Sequence, residues 1–189
     1  MQVLQHIDGQ CLMAKIRQDE LLPTIMEALY GMPDFLVGSS VVWTNGVFDI
    51  LHIGHLELFE FARKQGRLIV GVNSDQSAQK LGKRHPVLNR EMERASLVAA
   101  CKLVDLVVIF DEPNPIACMR AIKPGRFVKG GDFTIEQLPD DEKAALDEWG
   151  GKVLVSPGVP GRSTTLLYDK IFQLGYKEGM SDLYGSDHK

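Results

Sequence analysis

The chain of 189 residues is 44% hydrophobic and 24% charged, the balance of a globular protein with one sizeable core. Its formal net charge of -4 argues against a protein that coats nucleic acid or an anionic membrane, so an anionic ligand must be held by a local basic cluster. Three scattered cysteines without a CxxC pair argue against a disulfide framework and zinc, and neither a signal peptide nor an apolar run near ~20 residues is present, which makes the cytoplasm the expected compartment.

Residues 1–37 are expected to form a helical extension packed on the core, with one helix over 21–30 ended by Gly31. Residues 38–175 then form a single domain, and 176–189, rich in Gly, Ser and Asp, form a loose tail. Apolar runs at 41–44, 68–72, 106–110, 127–129 and 153–155 read as strands covered on both faces, because they do not alternate with polar residues. Helices are expected between them. Leu56, Phe59 and Ala62 mark one that stops before Gly66; Asn89 caps one running to about Lys102, with Glu91 in its first turn. Asn114-Pro115 opens the next, to about Ile122, Pro139 opens one that ends at Gly150, and Ser163 begins the last, ending before Gly175. Strand and helix in turn predict an α/β fold, a doubly wound parallel sheet, whose ligands bind beyond the carboxyl ends of the strands.

Four segments just after strands suit phosphate. The first runs from Thr44 to His55 and places His52 and His55, with Gly54 between them, at a helix start where backbone N–H groups and the dipole favour an anion. A metal site and an ordinary polar turn are its rivals. The second, from Lys80 to Arg94, holds five Lys or Arg against two acids and reads as a loop able to close over a triphosphate, or as solvated surface. The third is Lys129-Gly130-Gly131-Asp132, where two glycines allow a tight turn or close approach to a ligand. The fourth is Arg162-Ser163-Thr164-Thr165, which a plain serine cap would also explain. No GxxxxGK[ST] and no GxGxxG after the first strand is present. Chemistry by positioning and charge neutralisation, as in transfer at phosphorus, is the remaining expectation.

Together the HxGH and Ser-Thr-Thr motifs resemble those of the cytidylyltransferase-like nucleotidyltransferases, over roughly residues 41–174. The runs Thr-Asn-Gly-Val-Phe-Asp-Ile-Leu-His, Val-Asn-Ser-Asp, Val-Lys-Gly-Gly-Asp and Arg-Ser-Thr-Thr look most like the D-glycero-D-manno-heptose 1-phosphate adenylyltransferases. The loop 82–86 and the Val159-Pro160-Gly161 turn depart from that pattern. The resemblance implies a Rossmann-like domain that transfers AMP from ATP to a heptose 1-phosphate. Its Mg2+ is carried by the triphosphate and not by assigned side chains. It implies that His52, His55 and Lys83 are catalytic, and that Thr44, Asn45, Gly46, Phe48, Asp49, Gly54, Arg94, Lys129, Gly130, Gly131, Asp132, Arg162, Ser163, Thr164 and Thr165 line the nucleotide site. Asn73, Asp75 and Arg84 are expected at the acceptor. The partners implied are ATP, a phosphorylated sugar and a second copy of the chain, with no nucleic acid and no membrane. The alternatives are a cytidylyltransferase acting on glycerol 3-phosphate or another alcohol or sugar phosphate, and a non-catalytic nucleotide-binding module.

Overall fold

A computed structural model describes residues 12–15, 40–82, 85–130 and 133–177. The strands are β1 (Leu12–Lys15), β2 (Val41–Gly46), β3 (Arg67–Asn73), β4 (Leu106–Phe110), β5 (Arg126–Lys129) and β6 (Lys152–Val155). Helices α1 (Ile53–Arg63), α2 (Asp75–Lys80), α3 (Glu91–Ala99), α4 (Ile116–Ile122), α5 (Asp140–Asp147) and α6 (Thr164–Lys177) alternate with them, with a short 3-10 turn at Ile135–Gln137. All five expected strands are present. β1 was not expected: it adds a parallel edge strand beside β4, from Leu12 opposite Leu106 to Lys15 opposite Ile109. The helix expected over 21–30 and the tail beyond 177 lie outside the described residues.

The sheet order is β1-β4-β3-β2-β5-β6, and every pair is parallel. From β2 the chain steps outward through β3 to β4, then crosses back to β5 on the other side of β2. That is the point at which strand order reverses, and the crevice of a doubly wound sheet forms there. β2 stays paired with β3 as far as Gly46, but with β5 only at Val42 and Trp43. The two strands part beyond Trp43, and the gap between their carboxyl ends is open.

Alternation along the strands splits the core in two. Val41, Trp43, Ile69, Val108 and Phe127 face α4 and α5, packing on Cys118, Met119, Ile122 and Leu146. Val42, Leu68, Val70, Val107 and Val128 face α1 and α3, packing on Phe59, Ala62, Ala95 and Val98. Both faces are therefore covered, which is why the runs were apolar throughout. Gly71 in β3 has a steric reason: a Cβ there would lie 2.3 Å from the Trp43 indole, which fills that space and meets Phe110 at 6.3 Å between centroids.

Helix ends differ from expectation in detail. α3 begins at Glu91 with Arg90 at its cap, where Glu93 accepts from the Arg90 N–H at 2.8 Å, and it ends at Ala99. Asn89, expected as the cap, turns its side chain to Asp49 instead. α2 is a helix that the sequence did not announce, and only its last residue, Lys80, falls in the expected loop; Ser74 caps it by accepting from the Ser77 N–H at 3.1 Å. α6 does not stop before Gly175 but runs on to Lys177.

Candidate active site

A cleft of about 570 Å³ opens at the reversal point, between the turns that follow β2 and β5 and the start of α6. Its first wall is the segment from Thr44 to His55. β2 delivers Thr44, Asn45 and Gly46 to the cleft, and the Phe48 ring lies against Gly46. Phe48 itself adopts φ +52, a left-handed conformation rare for a residue with a side chain. Its burial, and ring contacts to Phe59 at 5.4 Å and to His55 at 5.2 Å, hold it there.

His52 is the N-cap of α1: its Nδ1 accepts from the Gly54 N–H at 3.1 Å. A ring nitrogen that accepts is unprotonated, so the neutral ring carries its proton on Nε2. That atom lies 3.5 Å from Thr164 Oγ1, across the cleft. Burial, and then the charge of Arg162, hold the His52 pKa below its ordinary value, favouring this neutral donor form. His55 stacks on His52 with centroids 3.9 Å apart and planes 24° apart. The glycine between them matters for packing as well as for ligand approach. A Cβ on Gly54 would sit 2.9 Å from His52 Cε1 and 3.3 Å from the Arg162 carbonyl oxygen. Among the described residues no group of three or more His, Cys, Asp or Glu side chains could hold a metal ion.

Asp49 lies in the same turn but is engaged by protein. Its Oδ1 accepts from the Asn89 N–H at 2.8 Å and from Asn89 Nδ2, and its Oδ2 accepts from the Leu88 N–H at 2.9 Å and from the Tyr168 hydroxyl at 2.5 Å. Burial opposes the charge of this carboxylate, but these donors together, Tyr168 foremost, hold its pKa below the ordinary value. Asp49 thus ties the histidine turn to the segment leading into α3.

The opposite wall comes from β5 and α6. Lys129 and Gly130 line the cleft, and Lys129 Nζ pairs with the buried Glu142 carboxylate of α5 at 3.1 Å, above the Phe127 ring at 4.3 Å. Burial lowers the Lys129 pKa and Glu142 works against that shift. Arg162, Ser163, Thr164 and Thr165 line the other side. Ser163 Oγ accepts from the Leu166 N–H at 3.2 Å, so it serves as the helix cap. All four segments are therefore represented around one cleft, with three exceptions among the expected site residues.

Arg94 is the first exception and a correction. It is fully buried, with Nη1 donating to the carbonyls of Val47 and Asn73, Nε to that of Asn89, and Nη2 to Asp75 at 2.8 Å. Four of its five N–H groups are so engaged and the side chain is shut off from the cleft by burial, so it braces the turns below the cleft. Asn73 is the second: it is buried and its Nδ2 donates to Ser77 Oγ at 2.9 Å. Asp75 is the third. It is paired with Arg94 and borders a smaller cleft of about 430 Å³ that the segment 85–87 separates from the first. Lys83, Arg84, Gly131 and Asp132 lie outside the described residues. Tyr168 and His85, whose rings stack at 4.8 Å, also line the cleft and are among the lining residues not expected at the site from the sequence. Tyr168 follows Thr164 by four residues in a helix, the spacing that puts two side chains on one face.

A Rossmann-ordered sheet with a His-x-Gly-His helix start at its reversal point, facing a Ser-Thr-Thr helix start, is the architecture of a nucleotidyltransferase. The sequence profile of the cytidylyltransferase-like family matches residues 43–160. The bifunctional protein HldE of Geobacter metallireducens is 40% identical over 171 residues, 89% of this chain and 33% of that protein. HldE of Koribacter versatilis is 46% identical over 132 residues, 69% of this chain and 26% of that protein. The chain thus spans about a third or less of the length of the curated relatives it matches. Among solved structures, a lipopolysaccharide core biosynthesis protein of Thermoplasma volcanium superposes with a TM-score of 0.55 at 28% identity, covering 65% of this chain and 99% of that one. The chain belongs to the cytidylyltransferase-like family, and it is a nucleotidyltransferase. Among the described residues no helix is long and apolar enough to cross a membrane.

Proposed function

We propose that the chain transfers AMP from ATP to a heptose 1-phosphate, giving an ADP-heptose and pyrophosphate. The observation that carries the reading is the stacked pair His52 and His55 at the start of α1, with the Nε2 of His52 facing Thr164 across the open cleft. In the reaction an oxygen of the sugar phosphate attacks the α-phosphorus in line. The bond from that phosphorus to the bridging oxygen of the β-phosphate breaks, and its electrons leave with pyrophosphate. No covalent intermediate on the protein is required. The two imidazoles, at the positive end of the α1 dipole, act as donors to the phosphate oxygens as charge moves onto them. Arg162 and the start of α6 flank the triphosphate on the other side. Magnesium enters with the triphosphate as part of the substrate and is held by phosphate oxygens, since the carboxylate of the histidine turn, Asp49, already accepts four donors.

The heptose and the adenine rest on the resemblance of the four motifs, supported by the HldE relatives and by the lipopolysaccharide core biosynthesis protein of similar fold. The test is a pyrophosphate-release screen of four nucleoside triphosphates against phosphorylated sugars and polyols. Turnover is expected with ATP and a heptose 1-phosphate. A higher kcat/KM for CTP would replace AMP by CMP and leave the mechanism standing, whereas no pyrophosphate with any pair would sink the catalytic reading.

A further inference from the structure

Among the described residues, no buried hydrophobic contact seats the helix bearing the Ser-Thr-Thr motif. None of the side chains 164–175 is buried, and Leu166, Ile171, Phe172 and Leu174 of α6 are exposed. Its contacts with the cleft are polar and aromatic. Thr164 faces His52 at 3.5 Å. One turn on, the Tyr168 hydroxyl lies 2.5 Å from Asp49 Oδ2 and 2.9 Å from the Pro86 carbonyl oxygen. The Tyr168 ring stacks on His85 with planes 10° apart, and His85 Nε2 lies 3.4 Å from Asp169 Oδ1 of the same helix.

We infer that Tyr168 is a positioning residue: by donating to Asp49 its hydroxyl seats α6, so that Ser163, Thr164 and Thr165 close the phosphate side of the cleft over His52. The inference rests on the nucleotidyltransferase reading of this cleft. Asp49 stands three residues before His52 in the same turn, so this single bond joins the histidine wall to the α6 wall. Thr164 and Tyr168 share a helix face, and fixing one sets the rotation and height of the other. Asp49 keeps its bonds to Leu88 and Asn89 when the hydroxyl is removed, so the carboxylate stays anchored and only the link to α6 is lost. Burial, and then the hydrogen bond to Asp49, push the phenol pKa up to about 12, so the donor is present throughout the working range.

Tyr168→Phe removes only the hydroxyl, with its contacts to Asp49 and to the Pro86 carbonyl, because the ring that stacks on His85 is retained. In hydrogen exchange of the full chain without ligand, amides of α6 in this variant are expected to exchange roughly tenfold faster, the loss expected for one bond to a charged acceptor, with β2 to β4 unchanged. In turnover assays KM for magnesium ATP rises about tenfold while kcat stays within about twofold, because a bound triphosphate reseats the helix. In an Asp49→Asn background the same substitution adds little further. Unchanged exchange would overturn the inference, and faster exchange with an unaltered KM would reduce Tyr168 to a structural contact. A wild-type chain that binds no triphosphate would instead overturn the proposed function, and the exchange comparison would still decide whether Tyr168 seats α6.

Discussion

His52 does two things with two nitrogens. Nδ1 caps α1 and Nε2 faces the cleft. The two are separable by substitution. His52→Ala loses both and is expected to cost ~1 kcal/mol of stability from the missing cap and ~10²–10³-fold in kcat from the missing donor. His52→Asn keeps a capping oxygen, so thermal unfolding returns close to wild type while turnover does not. The lowered pKa of His52 also gives stability a pH dependence. The unfolded ring binds a proton near its ordinary 6.5 and the folded ring only at lower pH. Its contribution is therefore complete above 6.5 and is lost as pH falls from there toward the folded value. Thermal scans between about pH 7.5 and 5 are expected to show a smaller acid loss in His52→Asn than in wild type. Arg94 makes the opposite case. Its neighbours in sequence, Lys83 and Arg90, suggest a phosphate ligand, but the chain alone does not reveal that the carbonyls of Val47, Asn73 and Asn89 converge on it. Arg94→Ala leaves those acceptors and Asp75 unpaired, and should destabilise by about 3–5 kcal/mol. Urea unfolding checks this; a variant of normal stability with weak triphosphate binding would return Arg94 to the ligand site.

At the scale of elements, what the sequence revealed follows from where information is local. Strands buried on both faces announce themselves as unbroken apolar runs, and five were legible with their helices. β1 was not, because Met13 and Ala14 lie beside Gln10, Cys11 and Lys15 in a stretch with no clear period, and an edge strand needs only one neighbour. α2 was hidden by its six residues and its polarity, although Ser74 before Asp75 is a readable cap. The four phosphate motifs were legible because each follows a strand. Tyr168 was not, since its role depends on Asp49, 119 residues away. The junction of β2 and α1 yields a sharper test of how elements set chemistry. In Gly54→Ala the new methyl meets the His52 ring on one side and the Arg162 carbonyl on the other. The ring is the part able to move, so turnover should fall by ~10²-fold or more, as for loss of a donor, with the sheet intact by circular dichroism. Wild-type kcat in this variant would mean that His52 need not hold its observed position.

For the molecule as a whole, the order of strands separates binding from edge protection. The cleft sits between β2 and β5, whereas β1 lies at the far edge, three strands from β2 in the sheet order. β4, which β1 covers, consists of five fully buried apolar residues, Leu106–Phe110. An uncovered strand of that kind offers its free N–H and C=O groups to other chains. Successive N–H groups of a strand point to opposite sides, so the double substitution Met13→Pro and Ala14→Pro removes whichever of the two donates to β4. It is expected to raise concentration-dependent aggregation on mild heating, measured by light scattering. KM for the triphosphate in the freshly prepared protein should stay within about twofold, because the cleft is remote. A large rise in KM before any aggregation would show that the edge and the cleft are coupled.

The contacts that join the two walls of the cleft connect residues 112 and 119 positions apart, His52 with Thr164 and Asp49 with Tyr168. During synthesis the histidines leave the ribosome more than a hundred residues before their partners on α6. At ~5–20 residues per second the wait lasts several seconds or more. A nascent chain exposed only as far as β6 would already hold the parallel sheet from β2 to β6 but half a binding site. Nucleotide affinity should therefore arrive abruptly with α6, after the core has set.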